Sequence, residues 1–219
     1  MLELHSLIQN HFIQPQINST IKQLMVILDE YEISHIPIFD KKNLTGMASK
    51  ELIENLDENE TIESSRNGFQ PFFISDQNSL FDAIGLVSKY NTNIIPVLDN
   101  QEKYLGYITE HDLLNQLSKN YFITEPASLI VVSVGIKQYS ISEISKIVES
   151  NNGRISAIFV TKIFGDRVQI AIKFNASNLT SVGETFERFG YSIDNKFFND
   201  NKKDMIKDRY QQLMRYLNL

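Results

Sequence analysis

Apolar positions in the middle of the chain fall into two short strand patterns followed by the start of a helix. Residues 94–98 read Ile-Ile-Pro-Val-Leu, residues 104–109 read Tyr-Leu-Gly-Tyr-Ile-Thr, and Asp99 opens a polar turn between them. β-Branched and aromatic residues on both sides of a turn predict a β-hairpin. Thr109 is then an N-cap candidate, which places Asp112 on the first turn of the next helix. This junction brings together backbone amides, a hydroxyl and a carboxylate, and is a candidate small-ligand site.

The same pattern occurs earlier in the chain. Pro37 matches Pro96 at a shift of 59, and Gly46 matches Gly106 at a shift of 60. Ahead of each hairpin, apolar residues recur every three or four positions, which predicts an amphipathic helix. The two helical stripes are Ile21, Leu24, Met25, Leu28 and Tyr31, and Leu80, Ala83, Ile84, Val87 and Tyr90. We therefore predict a duplicated strand-helix-strand-strand-helix unit over residues 12–56 and 72–117.

The segments around the two repeats are predicted to be connections. Pro15 and Pro71 are expected to introduce the first strand of each repeat, because a leading proline needs no ladder donor. Residues 57–70 are polar and acidic and predict a connecting loop, and residues 121–126 predict a linker. Residues 1–11 are expected to form a short helix or lead-in segment.

The last third of the chain follows a different pattern. Its apolar periodicities predict the order β-α-β-β-α-β over residues 127–197, which is a ferredoxin-like unit. Ser140 and Glu143 have the spacing of a capping box at the start of the first helix, and Asn151-Asn152-Gly153 is expected to end that helix in a left-handed C-cap. Residues 198–219 predict a C-terminal amphipathic helix. The fold class is thus α/β (α+β).

Composition narrows the function. The 219 residues carry a formal net charge of −6, which argues against nucleic acid as a partner. The absence of cysteine excludes a disulfide framework and thiolate metal sites. The N-terminus lacks a signal-peptide pattern, and the longest apolar run is far shorter than the ~20 residues of a membrane helix. These features predict a cytoplasmic protein that binds no membrane.

Each candidate residue also has a structural interpretation. Asp112 could accept the vicinal hydroxyls of a ribose, or it could only complement the helix dipole. His35 and His111 could contact a polyphosphate, or they could be ordinary half-exposed polar residues. The histidines show no metal-ligand spacing, and the sequence has no nucleophile elbow, Walker loop or dinucleotide glycine fingerprint. A catalytic function is therefore disfavoured.

The repeated units resemble tandem CBS domains, the Bateman module. Residues 95–99 match the signature hydrophobic-Pro-Val-hydrophobic-Asp, and residues 106–113 match Gly-x-Ile-Thr-x-x-Asp-hydrophobic. The unit over residues 127–197 resembles an ACT domain by the order of its elements. A CBS pair over residues 1–122 followed by an ACT unit is similar to acetoin-utilisation regulatory proteins.

The resemblance implies a nucleotide site in the cleft between the repeats. By position, Asp112 would hold the ribose, Thr109 the phosphate and the backbone of Ile94, Ile95 and Pro96 the base. His111 occupies a position where the family often has arginine. The first repeat departs from the signature because Leu52 replaces the acid, so at most one good site, built on the second repeat, is expected.

The ACT resemblance departs from its family at one loop. Gln138, Tyr139 and Ser140 fill the entry to the first helix, where amino-acid-binding members usually carry glycine. Amino-acid binding and a purely dimerising role therefore both stay open for this unit.

We expect a non-catalytic regulatory protein, needing no cofactor, whose CBS pair senses AMP, ADP, ATP or an adenosylated compound. Its ACT unit would transmit the signal or fix a homodimer, and a protein target is a further candidate partner. The alternative is a ligand-independent oligomerisation and protein-interaction scaffold. An Asp112 cleft filled by side chains would favour this alternative.

Overall fold

A computed structural model describes residues 4–11 and 14–197 of the chain. The chain divides into two compact units, Met1–Asn120 and Tyr121–Leu219. The C-terminal helix predicted over residues 198–219 lies outside the described residues. No helix among those residues is long and apolar enough to cross a membrane.

The first unit contains the predicted duplication. Its first copy is α1 (Ile21–Glu30), β1 (His35–Asp40), β2 (Asn43–Ser49) and α2 (Lys50–Glu54). Its second copy is β3 (Ile74–Ser75), α3 (Leu80–Tyr90), β4 (Ile94–Leu98), β5 (Tyr104–Thr109) and α4 (Glu110–Ser118). β1 pairs antiparallel with β2, and β4 lies between β5 (antiparallel) and β3 (parallel). The predicted α/β fold of two similar units is confirmed.

The strands that were predicted after the two prolines are much shorter than expected. β3 has only two residues, and in the first repeat only an isolated bridge joins Gln16 to Phe39. The carbonyl of Pro15 accepts from the Phe39 amide at 2.9 Å, and the Ile17 amide donates to the Phe39 carbonyl at 2.8 Å. The chain then turns at once into the capping box in which Thr20 starts α1, so no room is left for a longer ladder.

Two short 3-10 helices lie in the predicted lead-in segment and in the predicted connecting loop. His5–Leu7 forms one of them, and Ile62–Gly68 forms the other inside the predicted connecting loop.

The segment ahead of each repeat pairs with the second strand of the other repeat. Gln9 exchanges two backbone hydrogen bonds with Tyr107, both 2.8 Å long. Gln70 exchanges the equivalent pair with Met47, at 2.8 and 2.9 Å. The two repeats are therefore joined by two equivalent backbone crossovers, one from the segment ahead of each repeat.

The two repeats also share a hydrophobic core. Phe72, Ile94 and Tyr107 of the second half pack in the cluster built mainly by the first repeat. At the junction, the Ser34 amide donates to Asn93 Oδ1 at 2.8 Å, and the Asn93 amide donates to Ser34 Oγ at 3.1 Å. These two residues occupy equivalent positions, so the junction is itself pseudo-symmetric.

The second unit is ferredoxin-like, as predicted. It consists of α5 (Tyr121–Thr124), β6 (Ser128–Gly135), α6 (Ile141–Ser150), β7 (Arg154–Phe164), β8 (Arg167–Asn175), α7 (Leu179–Arg188) and β9 (Ser192–Phe197). The antiparallel sheet has the order β7-β8-β6-β9, and α6 and α7 pack on one face of it around Phe174 and Phe186.

One local prediction for this unit needs correction. A short helix, α5, occupies the predicted linker, and the Lys173 ammonium donates to its Phe122 and Ile123 carbonyls at 2.7 and 3.1 Å. The left-handed residue after α6 is Asn152, which lies within the segment predicted to form the left-handed C-cap. Glycine is needed at 153 for space, because a Cβ there would lie 2.6 Å from Val148 Cγ1.

Candidate functional site

The junction between β5 and α4 places Thr109 and Asp112 together. Thr109 ends the strand and caps the helix, and its hydroxyl accepts from the Asp112 amide at 3.1 Å. Asp112 Oδ2 in turn accepts from the Thr109 amide at 3.2 Å and from the Thr109 hydroxyl at 2.6 Å. A threonine hydroxyl carries a single proton, so Thr109 has none left for a phosphate in this arrangement. The phosphate role predicted for Thr109 therefore requires the capping box to rearrange.

Asp112 also contacts the N-terminal crossover segment. Gln9 Nε2 donates to Asp112 Oδ2 at 2.7 Å, while the Tyr107 hydroxyl donates to Gln9 Oε1 at 3.1 Å. Oδ2 therefore has three donors, whereas no hydrogen bond to Oδ1 occurs among the described residues. Asp112 is half-buried, so its carboxylate lies at the junction of the two repeats and not in bulk water.

Two aromatic side chains continue the hydrogen bonds that start at this carboxylate and pass through Gln9. The His11 ring meets the Tyr107 ring edge to face at 5.8 Å between centroids, and His11 Nε2 lies 3.1 Å from the Tyr107 hydroxyl. Burial raises the pKa of Tyr107, and the electrostatic influence of Tyr31 and of Asp112 adds to that rise. The site thus combines one carboxylate of the second repeat with side chains from the N-terminal segment and from the end of α1.

The predicted base-binding strand is less available than expected. Ile94, Ile95 and Pro96 are all fully or almost fully buried in β4. The hydroxyl of Thr92 donates to the Ile94 carbonyl at 2.8 Å and accepts from the Ile94 amide at 3.3 Å. Base recognition by this backbone stays a prediction, and the polar groups of Ile94 already have a partner.

The two histidines have very different environments. His111 is exposed on the first turn of α4. His35 is only 5% exposed and lies 5.6 Å from the Phe72 ring, with its Nδ1 3.0 Å from Ser34 Oγ. Burial lowers the pKa of His35, and the neighbouring Gln70 side chain offsets part of that effect. A neutral, buried His35 does not fit the cationic polyphosphate role that was predicted for it.

The backbone amides at the N-terminus of α4 are the next feature of the site. The Glu110 amide donates to the Asn93 carbonyl at 2.9 Å, and the Asp112 amide donates to Thr109. The described hydrogen bonds leave the His111 amide as the first-turn donor that can face an added anion. The positive end of the helix dipole points the same way.

The corresponding place in the first repeat is apolar. Ser49 caps α2 by accepting from the Leu52 amide at 3.1 Å, but Leu52 supplies no carboxylate. A Cβ at Gly68 would lie 3.1 Å from both methyl carbons of Leu52, so this side chain fills the space beside the 3-10 turn. The expectation that only the second repeat offers an acid agrees with this packing.

Sequence reasoning missed Gln9, His11 and Tyr107 as site residues. Their contacts come from a crossover between segments about a hundred residues apart, which periodicity does not reveal. The available signal was Gly106, because a glycine inside a strand often marks a close approach of another backbone. The cavity of 390 Å³ in this unit lies elsewhere, between Gly46, Phe73 and the β4–β5 turn, and neither Thr109 nor Asp112 lines it.

Comparisons with known proteins agree with the duplicated unit. Residues 68–119 match the family model of the CBS domain. Inosine-5'-monophosphate dehydrogenase of Staphylococcus epidermidis is 27% identical over 125 residues, which are 50% of this chain and 25% of that enzyme. The Staphylococcus saprophyticus enzyme is 34% identical over 64 residues, covering 27% of this chain and 13% of that one. The chain therefore spans a quarter or less of the length of these two relatives.

Solved structures with CBS pairs are also similar to the chain. A CBS domain pair/ACT domain protein from Thermotoga maritima has a TM-score of 0.47 and 19% identity, covering 52% of this chain and 95% of that one. The protein CBSX2 in complex with AMP has a TM-score of 0.43 and 16% identity, covering 53% of this chain and 96% of that one.

Proposed function

We propose that this chain, which carries a tandem CBS pair in its first unit, is a non-catalytic regulatory protein that binds an adenosine-containing nucleotide at Asp112. In this proposal the CBS pair takes residues 1–122 and the ACT-like domain takes residues 127–197. The ligand would be AMP, ADP, ATP or an adenosylated compound, and no other cofactor is required.

The position of the Asp112 carboxylate carries the proposal. A carboxylate has two oxygens, and each can accept a hydrogen bond from one of the two vicinal hydroxyls of a ribose. Asp112 lies half-buried beside the rings of Tyr107 and His11, which offer contact surface to a base. The His111 amide and the helix dipole favour a phosphate on the same turn. The ligand would therefore lie between the repeats, with its sugar at the acid.

Calorimetric titration of the full chain with AMP, ADP and ATP tests the proposal. Asp112→Ala should weaken binding roughly 10- to 100-fold, because a hydrogen bond to a charged group contributes about 1.5–3 kcal/mol. Asp82→Ala is the matched control, since Asp82 closes the same kind of capping box at α3. The 2'-deoxy form of the best ligand should bind more weakly than the ribose form. Binding that Asp112→Ala leaves unchanged would refute the site.

The second candidate function is a ligand-independent scaffold. Two observations favour it: Leu52 removes the acid from the first repeat, and Gln9 already occupies one oxygen of Asp112. If no nucleotide binds while the chain assembles or captures a defined protein partner, this reading replaces the first.

A homodimer belongs to both proposals, and an apolar groove between α3 and α4 supports it. The groove has a volume of 140 Å³, and apolar side chains of both helices line it, among them Leu113 and Leu114. Leu114, which lines the groove, is 62% exposed, and Phe81 of α3 is 52% exposed, so both offer apolar surface that a partner could cover. A second copy of the chain is the occupant that we propose.

The ACT-like unit would fix the dimer or pass on the effect of the ligand. A ligand shifts such an equilibrium only if it binds one arrangement of the repeats more tightly than the other. At the entry to α6, the Gln138 and Tyr139 amides both donate to the Gly135 carbonyl in a turn. These two amides are thus already hydrogen-bonded, and binding of an amino acid at this turn stays an open alternative to dimerisation alone.

A further inference from the structure

We propose that Gln9 is an intramolecular competitor of the ligand at Asp112, so that a nucleotide must displace the Gln9 carboxamide before it can engage both carboxylate oxygens. This inference rests on the proposed function, because it concerns the regulation of the same site. It assigns a role to a residue outside both repeats.

The Gln9 carboxamide forms hydrogen bonds with two residues of the candidate site. Its Nε2 donates to Asp112 Oδ2 at 2.7 Å, and its Oε1 accepts from the Tyr107 hydroxyl at 3.1 Å. Both ends of the carboxamide therefore have partners in the site. A pair of vicinal hydroxyls needs both oxygens of Asp112. Oδ1 has no donor among the described residues, whereas Oδ2 accepts from the Thr109 amide and hydroxyl as well as from Gln9. Of these donors, only the Gln9 side chain can leave Oδ2 without opening the capping box. Ligand and Gln9 thus exclude each other at Oδ2.

The backbone holds Gln9 next to the site whether or not its side chain is engaged. Its amide and carbonyl form the 2.8 Å pair with Tyr107. The strand residue Gly106 allows this approach, because a Cβ there would collide with the Gln9 carbonyl and lie 2.7 Å from Ile8 Cγ2. Displacement consequently requires rotation of one side chain, while the crossover stays paired.

The first repeat contains a matched site without the competition. Gln70 occupies the equivalent crossover position and forms the same backbone pair with Met47. The position that corresponds to Asp112 is Leu52, so Gln70 has no carboxylate to occupy, and its side chain lies beside His35 instead. The duplication therefore offers one glutamine that competes with a ligand and one that does not.

The test compares the affinities of four chains for AMP, ADP and ATP by calorimetry: wild type, Gln9→Ala, Gln9→Ser and Gln70→Ala. If Gln9 blocks the site in about nine molecules of ten, its removal should tighten binding about tenfold, because the apparent affinity scales with the competent fraction. Gln70→Ala should bind like the wild type. Gln9→Ser, whose side chain is too short to reach Asp112, should copy Gln9→Ala and guards against a folding defect specific to alanine.

The Asp112→Ala background separates competition from other effects. There, Gln9→Ala should no longer change the affinity, because nothing remains to compete for. Tightening only in the presence of Asp112 supports the competitor role. Unchanged or weaker binding by Gln9→Ala and Gln9→Ser, with Asp112-dependent binding by the wild type, overturns it and leaves the proposed function standing. If neither the wild type nor the Gln9 variants bind any of the three nucleotides, the proposed function and the competitor role both fail.

Discussion

Gly106→Ala tests the crossover that brings the N-terminal segment to the candidate site. Gly106 has a φ of +149°, and the Gln9 backbone lies directly against it. An alanine Cβ would lie 3.0 Å from the Gln9 carbonyl carbon and would collide with the carbonyl oxygen. Since the obstacle is backbone on both sides, rotation of a side chain cannot relieve it.

The cost follows from two contributions. Separating the strands removes the two hydrogen bonds between Gln9 and Tyr107, each contributing about 1 kcal/mol. A non-glycine residue in this sparsely populated backbone region costs about 1–3 kcal/mol more. Gly106→Ala should therefore lower the free energy of unfolding of the first unit by about 3–5 kcal/mol.

The duplication supplies the control. Gly46 has a nearly identical φ of +155°, but a Cβ there would lie 3.0 Å from the Phe69 side chain and 3.4 Å from the nearest backbone atom. Gly46→Ala should thus show mainly the backbone contribution and be less harmful by about 2 kcal/mol. Gly85→Ala, in the interior of α3 with nothing within 4 Å, should stabilise the unit by about 1 kcal/mol.

Urea unfolding followed by circular dichroism measures these differences. The chain has two compact units, so two transitions can occur and each has to be assigned before its free energy is used. The reasoning is refuted if Gly106→Ala unfolds at the same urea concentration as the wild type. It is also refuted if Gly46→Ala is the more damaging of the pair, since the Gln9 contact then contributes nothing.

Three further predictions concern other parts of the chain. Phe174→Ala, in the core of the second unit, should cost that unit about 3–5 kcal/mol and leave the other transition in place, which assigns the two in a urea titration. Burial lowers the pKa of His35, so the unfolded chain binds more protons than the folded one below pH 6.5 and stability is lost as the pH falls from there through the folded pKa. Replacing His35 by isoleucine, the residue at the equivalent position of the second repeat, should reduce the difference in melting temperature between pH 7.5 and 5.5; an unchanged difference would contradict this assignment. Leu114→Glu should convert a dimer to a monomer in light scattering, whereas Asn115→Glu, on a different side of α4, should leave the mass unchanged; a Leu114→Glu dimer would exclude the groove as the interface.

The sequence predicted what local periodicity and short-range chemistry determine. The repeat at a shift of 59 to 60 places equivalent side chains in equivalent strands, so the duplicated unit needed no long-range information. The N-cap role of Thr109 and the place of Asp112 on the first turn of α4 depend on local spacing and were predicted correctly. The ferredoxin-like order of elements could also be predicted, because each helix and strand has its own apolar pattern.

Contacts between distant segments could not be predicted in this way. Gln9 reaches Asp112 across 103 positions, and nothing in the local pattern of residues 8–11 marks them as part of a site. The predicted strand after Pro15 failed for a related reason, since its length depends on where the partner strand and the following cap leave room. Gly106 shows how such a contact can be inferred. Where another segment's backbone crosses a strand closely, the strand residue beneath it must lack a side chain.

The two clefts of the first unit show what the duplication preserved and what it changed. Both keep the backbone crossover and a glutamine on it, but Leu52 makes one cleft apolar and Asp112 makes the other charged. A half-buried carboxylate is costly without donors, and Gln9 and Thr109 supply them. The binding free energy of a ligand is then the difference between its own hydrogen bonds and those of Gln9. A ligand with a single donor can bond to Oδ1 and leave Gln9 in place, whereas a vicinal diol must also replace Gln9 at Oδ2. The competitor therefore reduces the advantage of a ribose over a single hydroxyl, and removing Gln9 should restore it.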